Sequence, residues 1–355
     1  MGSLASRVSP LRHEPVSGGA GSALSQRFTG RSVLITGGLG FIGSSLAARL
    51  VELGAKVLLV DALMPEHGGN PFNVAGVKDR VTINAADVRN ERIMRYLVEG
   101  QEYLFNLAGQ RSHTDSMTDP YMDLDANCRA SLSVLEACRH VNPRVTLVYT
   151  STRQVYGVPA YLPVDERHPT HPIDVNGANK LAGEHYHLVY ARTYGIRTCV
   201  LRLTNVYGPR MRVQDARQTF LGWWIRRLLD GEPLPVYGDG AQQRDLSYID
   251  DVVEAMLLAA ASEVTNGEVY NIGGDAPVSL GELAELLIRL HGGGRWMRVP
   301  FPPAQKAIDI GSYYADDTKI RKALGWQPKI PLTEGLTRTL VYYRTHRTRY
   351  WTTDA

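Results

Sequence analysis

Three glycines and one carboxylate are the first residues in this chain whose types and spacing point to chemistry. Gly37, Gly40 and Gly43 follow the apolar run Val33-Leu34-Ile35 and precede Ser44-Ser45-Leu46-Ala47, where the pattern turns helical. A strand that breaks into glycines and resumes as a helix opens a βαβ unit. Gly37 suits the tight turn, Gly40 a close approach of backbone to a pyrophosphate, and Gly43 close packing of helix on strand. The phosphates would then sit at the positive helix N-terminus, beside Phe41 and Ile42. The spacing is G-x-x-G-x-x-G rather than G-x-G-x-x-G. A second apolar run, Val57-Leu58-Leu59-Val60, ends in Asp61, eighteen residues after Gly43. A carboxylate there accepts hydrogen bonds from ribose hydroxyls and repels a 2′-phosphate, which favours NAD over NADP.

The elements that must position these groups alternate along the chain. Strands are expected at 81–84, 103–109, 145–150 and 198–203, and helices at 91–98, 123–140 and 179–194. A loop is expected at 65–71 from its glycines and prolines. Alternation from 31 to about 205 implies a parallel, doubly wound α/β sheet of the Rossmann type. Later prolines and glycines break the pattern into shorter elements, as a smaller mixed α/β substrate lobe would. The expected organisation is a flexible leader at 1–27, an NAD-binding domain at 28–205 and a lobe at 206–355, part of which could return to the sheet.

Composition narrows the class. The 355 residues are 44% hydrophobic and 21% charged, an ordinary globular balance, and a net charge of +3 without a basic run argues against nucleic acid. Cys128, Cys138 and Cys199 show no paired or metal-binding spacing and read as buried thiols of a cytoplasmic protein without a metal site. No apolar stretch approaches the roughly 18 residues of a membrane span.

Further along, Asp87-Val88, Asn106-Leu107-Ala108-Gly109, Ser151-Thr152-Arg153-Gln154-Val155-Tyr156-Gly157, Asn176-Gly177-Ala178-Asn179-Lys180 and Leu201-Arg202-Leu203-Thr204-Asn205-Val206-Tyr207-Gly208-Pro209 follow the glycine turn in order. As a set over about residues 30–340 they resemble the extended short-chain dehydrogenase/reductase family, specifically its NAD-dependent nucleotide-sugar epimerases and dehydratases. The resemblance implies NAD contacts from Asp87, Val88, Leu107 and Ala108. It also implies a catalytic group of Thr152, a Tyr and Lys180, in which the Tyr takes a sugar hydroxyl proton and the Lys lowers its pKa and holds the nicotinamide ribose.

The Tyr position is Asn176. An amide does not ionise near neutral pH and cannot be the general base. Three readings stay open: another side chain supplies the base, with His113, His171 and Tyr156 as candidates; the chemistry does not begin with alkoxide formation; or the protein only binds. His113 lies in the loop after Asn106, which in relatives borders the sugar together with Arg111. The Ala108-Gly109-Gln110 segment is similar to enzymes that epimerise CDP-sugars at C2.

Arg153 and Gln154 stand where 4,6-dehydratases carry Asp and Glu. They cannot perform that elimination, and could instead hydrogen-bond a sugar hydroxyl or carboxylate. By the same resemblance Asn205 and Arg244 contact the diphosphate, Arg210 to Arg217 add positive charge, and Asp309 stands in a Lys-x-x-Asp variant of a phosphate-side Arg-x-x-Asp pair. The function expected is a nucleotide-sugar epimerase, a homodimer through its two long helices. A dehydrogenase, dehydratase or decarboxylase on the same substrates, or a silent binding protein, is the alternative.

Overall fold

The computed structural model describes residues 19–64, 69–217 and 219–351. Strand β1, Ser32–Thr36, lies near the centre of a seven-stranded sheet, and its five residues are nearly all buried. The other strands are β2 (Lys56–Val60), β3 (Val81–Asn84), β4 (Tyr103–Asn106), β5 (Thr146–Thr152), β6 (Arg197–Leu203) and Glu268–Ile272. Their order is Glu268–Ile272, β6, β5, β4, β1, β2, β3, and every pairing is parallel. Chain direction across the sheet reverses between β1 and β4, and the crevice beyond the strand ends at that point is where such sheets hold ligands.

Strand periodicity separates two cores. Val33 and Ile35 enter the larger one while Leu34 faces the other, and Val148 and Tyr149 divide in the same way. The larger core packs the helix Phe41–Glu52 and the helix Ile249–Ala261 on one face of the sheet. The opposite face carries Glu91–Val98, Ala130–Val141 and Val175–Tyr194. Leu34 is fully buried, and truncating such a side chain to Ala costs about 2–5 kcal/mol.

Several expected boundaries move. Residues 19–27, expected in a flexible leader, belong to the helix Gly19–Phe28. Leu24 and Phe28, four apart and so on one face, are buried in the larger core; residues 1–18 lie outside the described residues. The 123–140 helix starts at Pro120, capped by Asp119, and passes through one wide turn, Asp125–Arg129, before Ala130–Val141. The 179–194 helix starts four residues early, at Val175, because Asp174 caps it by accepting from the Gly177 N–H at 2.6 Å. Of the 65–71 loop, 65–68 lie outside the described residues, and Pro71–Val74 is a short 3-10 turn. Glu268–Ile272 pairs with β6 and so returns the later chain to the sheet.

The remaining later chain forms small two-stranded units over the sheet's carboxyl edge: Leu234–Tyr237 with Trp296–Val299, Asn205–Tyr207 with Leu246–Tyr248, and Gln243–Arg244 with Val278–Ser279. After the helix Leu332–His346 the chain returns to the first domain, where Tyr350 donates its hydroxyl to Asn73 Oδ1 at 2.7 Å. The three cysteines are buried free thiols, all pushed up by burial, Cys138 and Cys199 to about 12. Among the described residues no helix is long and apolar enough to cross a membrane, and no three metal-ligating side chains gather.

Candidate active site

A cavity of about 480 Å³ opens where the strand ends meet the lobe. Its floor is the glycine turn. Gly37 takes a left-handed φ of +66°, and a Cβ on Gly43 would stand 2.3 Å from Gly37 O, a distance that excludes any side chain. Gly40 caps the helix Phe41–Glu52, whose first N–H groups have no acceptor within the helix and face the cavity. Asp61 ends β2, its two oxygens accepting the N–H groups of Leu39 (3.0 Å) and Leu63 (2.9 Å). Together these form a cradle that no side chain fills, with the Asp61 carboxylate at its rim, and the residues fit NAD.

The rest of that wall is tied down. The Thr36 hydroxyl donates to Asn106 Oδ1 at 2.8 Å and accepts the N–H groups of Leu107 and Ala108. Asn106 in turn donates to His187 Nε2, whose Nδ1–H is committed to Gly183 O. Burial pushes His187 down to about 4, so it stays neutral and that tautomer persists. Asp87 lines the cavity with Val88 and is gripped by Arg89 at 2.6 Å, which holds its carboxyl below the usual range. Asn73, held by Tyr350, donates to Leu39 O at 2.9 Å, so the lobe's far end braces the glycine turn.

Thr152 ends β5, its hydroxyl oxygen accepting from Gln154 N to start the turn Arg153–Tyr156. Lys180, one turn into its helix, is buried, donates to Thr150 O at 3.1 Å and lies 5.0 Å above the Tyr149 ring. Burial pushes its ammonium down to about 8, against the pull of Asp123. Asn176 is also buried, and its amide is committed: it donates to Asp123 Oδ2 and Gln110 O, both at 2.9 Å. Asn127 and Asn179 donate to Asp123 Oδ1 at 3.1 and 2.8 Å. Three asparagine amides thus enclose one fully buried carboxylate behind the cavity wall.

Of the three candidate bases, one lines the cavity. His113 Nδ1 lies 3.2 Å from Asp174 Oδ2, and His113 and Gln154 both face the cavity. Burial opposes ionisation of Asp174, but His113, the Gly177 N–H and the Gln154 amide (2.8 Å) together hold it below the usual carboxylate range. Tyr156 is excluded as base: it is fully buried, donates to Asn271 Oδ1 and is pushed up to about 12 by burial. His171 lies off the cavity, its carbonyl against Gly157.

On the lobe side, Asn205 donates to Asp245 O at 3.1 Å and faces the cavity. Arg244 donates to Gln243 O, Gly311 O and Gln242 Oε1 and stands 3.8 Å from Asp309 Oδ1. Burial, with Arg153 nearby, pushes its guanidinium down to about 10. Asp309 also accepts from Gln242 and Lys306. Arg111 lines the cavity within electrostatic reach of Arg212 and Asp61, burial holding it below the ordinary arginine value. Arg153 lines it too, 5.9 Å over the Tyr313 ring. Tyr237 and Phe301, ring centroids 5.0 Å apart, form an aromatic wall.

Sequence reasoning missed Asp174, Asp123 and this aromatic wall. Asp174 had a readable signal, an N-cap residue three before Gly177. Asp123 sits 53 residues from Asn176 and had none.

Residues 33–273 match the NAD dependent epimerase/dehydratase family. The chain is 32% identical to the UDP-glucose 4-epimerase of Mycolicibacterium smegmatis over 314 residues, covering 88% of this chain and 98% of that one. It is 32% identical to the dTDP-glucose 4,6-dehydratase of Streptomyces griseus over 327 residues, 90% of this chain and 95% of that one. Among solved structures, the Thermus thermophilus UDP-glucose 4-epimerase complex with NAD superposes with a TM-score of 0.78 at 32% identity, over 88% of this chain and 99% of that one.

Proposed function

The chain belongs to the NAD-dependent epimerase/dehydratase family, and from that premise we propose that it inverts one ring carbon of a nucleotide-diphosphate sugar through a transient ketone. The observation that carries this reading is that His113, backed by Asp174, lines the same cavity as Thr152 and Lys180. NAD, held by Gly37, Gly40, Gly43, Asp61 and Lys180, supplies the hydride acceptor and donor.

The chain's own residues handle the proton. With the Asp174 carboxylate 3.2 Å from His113 Nδ1, the other ring nitrogen, Nε2, is the one assigned to take the hydroxyl proton as the carbon becomes a ketone and to return it when the carbon is reduced from the other face. Thr152 hydrogen-bonds the reacting oxygen. The Lys180 cation favours negative charge developing there. Asn176 is not a failed base in this reading; it holds the buried Asp123 charge near Lys180. Arg153 and Gln154 offer no carboxyl group for eliminating water, which favours epimerisation over dehydration.

The test is incubation of the protein with NAD and UDP-, GDP-, CDP- and dTDP-sugars in D2O, read by NMR and mass spectrometry. A stereoisomer of unchanged composition is expected. Loss of water or of carbon dioxide would replace the epimerase reading with dehydratase or decarboxylase; no turnover with NAD bound would replace it with a binding role.

A further inference from the structure

Arg153 is an arginine at the cavity whose guanidinium meets no hydrogen-bond acceptor among the described residues. It opens the turn Arg153–Tyr156 directly after β5, so it leaves the sheet at the same edge as Thr152. Its Nε is buried without a partner, and its guanidinium makes no hydrogen bond or ion pair among the described residues. The Tyr313 ring covers one face at 5.9 Å, which leaves the planar edge with its N–H groups for a ligand. Arg244, by contrast, is bonded to Gln243 O, Gly311 O and Gln242 Oε1. Asp245, Asp174 and Asp309 lie within electrostatic reach of Arg153, yet none pairs with it.

Gln154 carries a second orphan. Its Nε2 donates to Asp174, while its Oε1 is buried with no donor. Adjacent residues at one cavity therefore present an unanswered cationic donor and an unanswered neutral acceptor. A guanidinium with a buried, unpartnered Nε and terminal N–H groups that meet no protein acceptor suits a planar anion that can take two parallel hydrogen bonds, and a lone buried amide oxygen suits a hydroxyl. A carboxylate next to a hydroxyl on one ring answers both.

We propose that the sugar of the substrate carries a carboxylate, as a nucleotide-diphosphate hexuronate does, and that Arg153 receives it. This rests on the nucleotide-sugar reading above. Either a sugar carboxylate or the diphosphate could supply anionic oxygens, and the position of Arg153 beside Thr152 and Gln154, on the sheet side of the cavity, favours the carboxylate.

The experiment is calorimetric titration of the NAD-loaded protein, wild type and Arg153→Gln, with UDP-glucuronate, UDP-glucose and UDP. The wild type is expected to bind UDP-glucuronate at least about tenfold more tightly than UDP-glucose, the size of one charge-assisted hydrogen bond. Arg153→Gln is expected to erase that preference while leaving UDP affinity within about twofold. Equal wild-type affinity for the two sugars overturns the proposal, and so does a parallel loss for all three ligands in the variant, which would assign Arg153 to the diphosphate. Failure of UDP and both sugars to bind the wild type refutes the nucleotide-sugar reading itself, for uridine. Melting of the ligand-free proteins gives a second readout. Because Arg153 is unpaired there, Arg153→Gln should melt no lower than wild type; a fall of several degrees would mean a structural partner and overturn the proposal.

Discussion

Replacing Asn176 by Ala tests whether this residue is a relic or a structural member. The substitution removes the amide that donates to Asp123 Oδ2 and Gln110 O, both at 2.9 Å. Asp123 Oδ1 keeps Asn127 and Asn179, but Asn176 is the side-chain donor to Oδ2 among the described residues. A hydrogen bond to a charged group contributes about 1.5–3 kcal/mol and one to a neutral carbonyl about 1, so Asn176→Ala should destabilise the fold by about 2–4 kcal/mol. In an Asp123→Asn background the charge is gone, and the same change should cost only about 1 kcal/mol, a coupling of about 1–3 kcal/mol. Urea unfolding of wild type, both single variants and the double variant measures it. Costs that add to within about 0.5 kcal/mol would refute the cage. Asn176→Tyr should likewise lose stability and turnover; a phenol that raised turnover at unchanged stability would show a degenerate site instead.

Three further outcomes follow from the geometry. In the proposed mechanism Lys180 acts as a cation, and burial pushes it down to about 8, so the charged form dominates below that pH and is lost above it; kcat/KM should fall above about pH 8, and Lys180→Arg should move that limb upward, an unmoved limb contradicting the assignment. Asp174→Asn keeps a competent helix cap but withdraws the carboxylate from His113, so kcat should drop about 100-fold or more with KM little changed. His113→Asn should do the same and the double variant no worse, whereas multiplying losses would separate the pair. Gly43→Ala forces a Cβ to within 2.3 Å of Gly37 O, and the purified protein should carry little or no NAD by absorbance of a denatured extract; full occupancy would show that the turn can open.

The sheet was legible because a parallel strand buried on both faces reads as an unbroken apolar run, as at Val33-Leu34-Ile35 and Leu147-Val148-Tyr149. Gly37 and Gly43 were legible because their conformations and contacts admit no other residue. Helix starts were less so: four residues of the helix from Val175 were missed because Asn and Gly weigh against helix, while the capping carboxylate of Asp174 and the packing around Asn176 override that preference. The flexible-leader expectation fails at 19–27 for a similar reason: Ser and Gly are frequent in that composition, but Leu24 and Phe28 bury in the larger core as the last turns of the helix Gly19–Phe28. The enclosure of Asp123 brings residues 110, 123, 127, 176 and 179 together across two helices and a loop, and no local spacing encodes it.

The brace from Tyr350 through Asn73 to Leu39 has a consequence for how the protein is made. Asn73 and Tyr350 are 277 residues apart, and their contact fixes the backbone that precedes Gly40. A ribosome adding about 5–20 residues per second needs roughly 14 to 55 seconds to travel that distance, while N-terminal segments are already folding. Throughout that interval the glycine turn stands without its distal support. The support of the glycine turn is therefore among the last contacts that synthesis makes available, although the turn itself is among the first segments made.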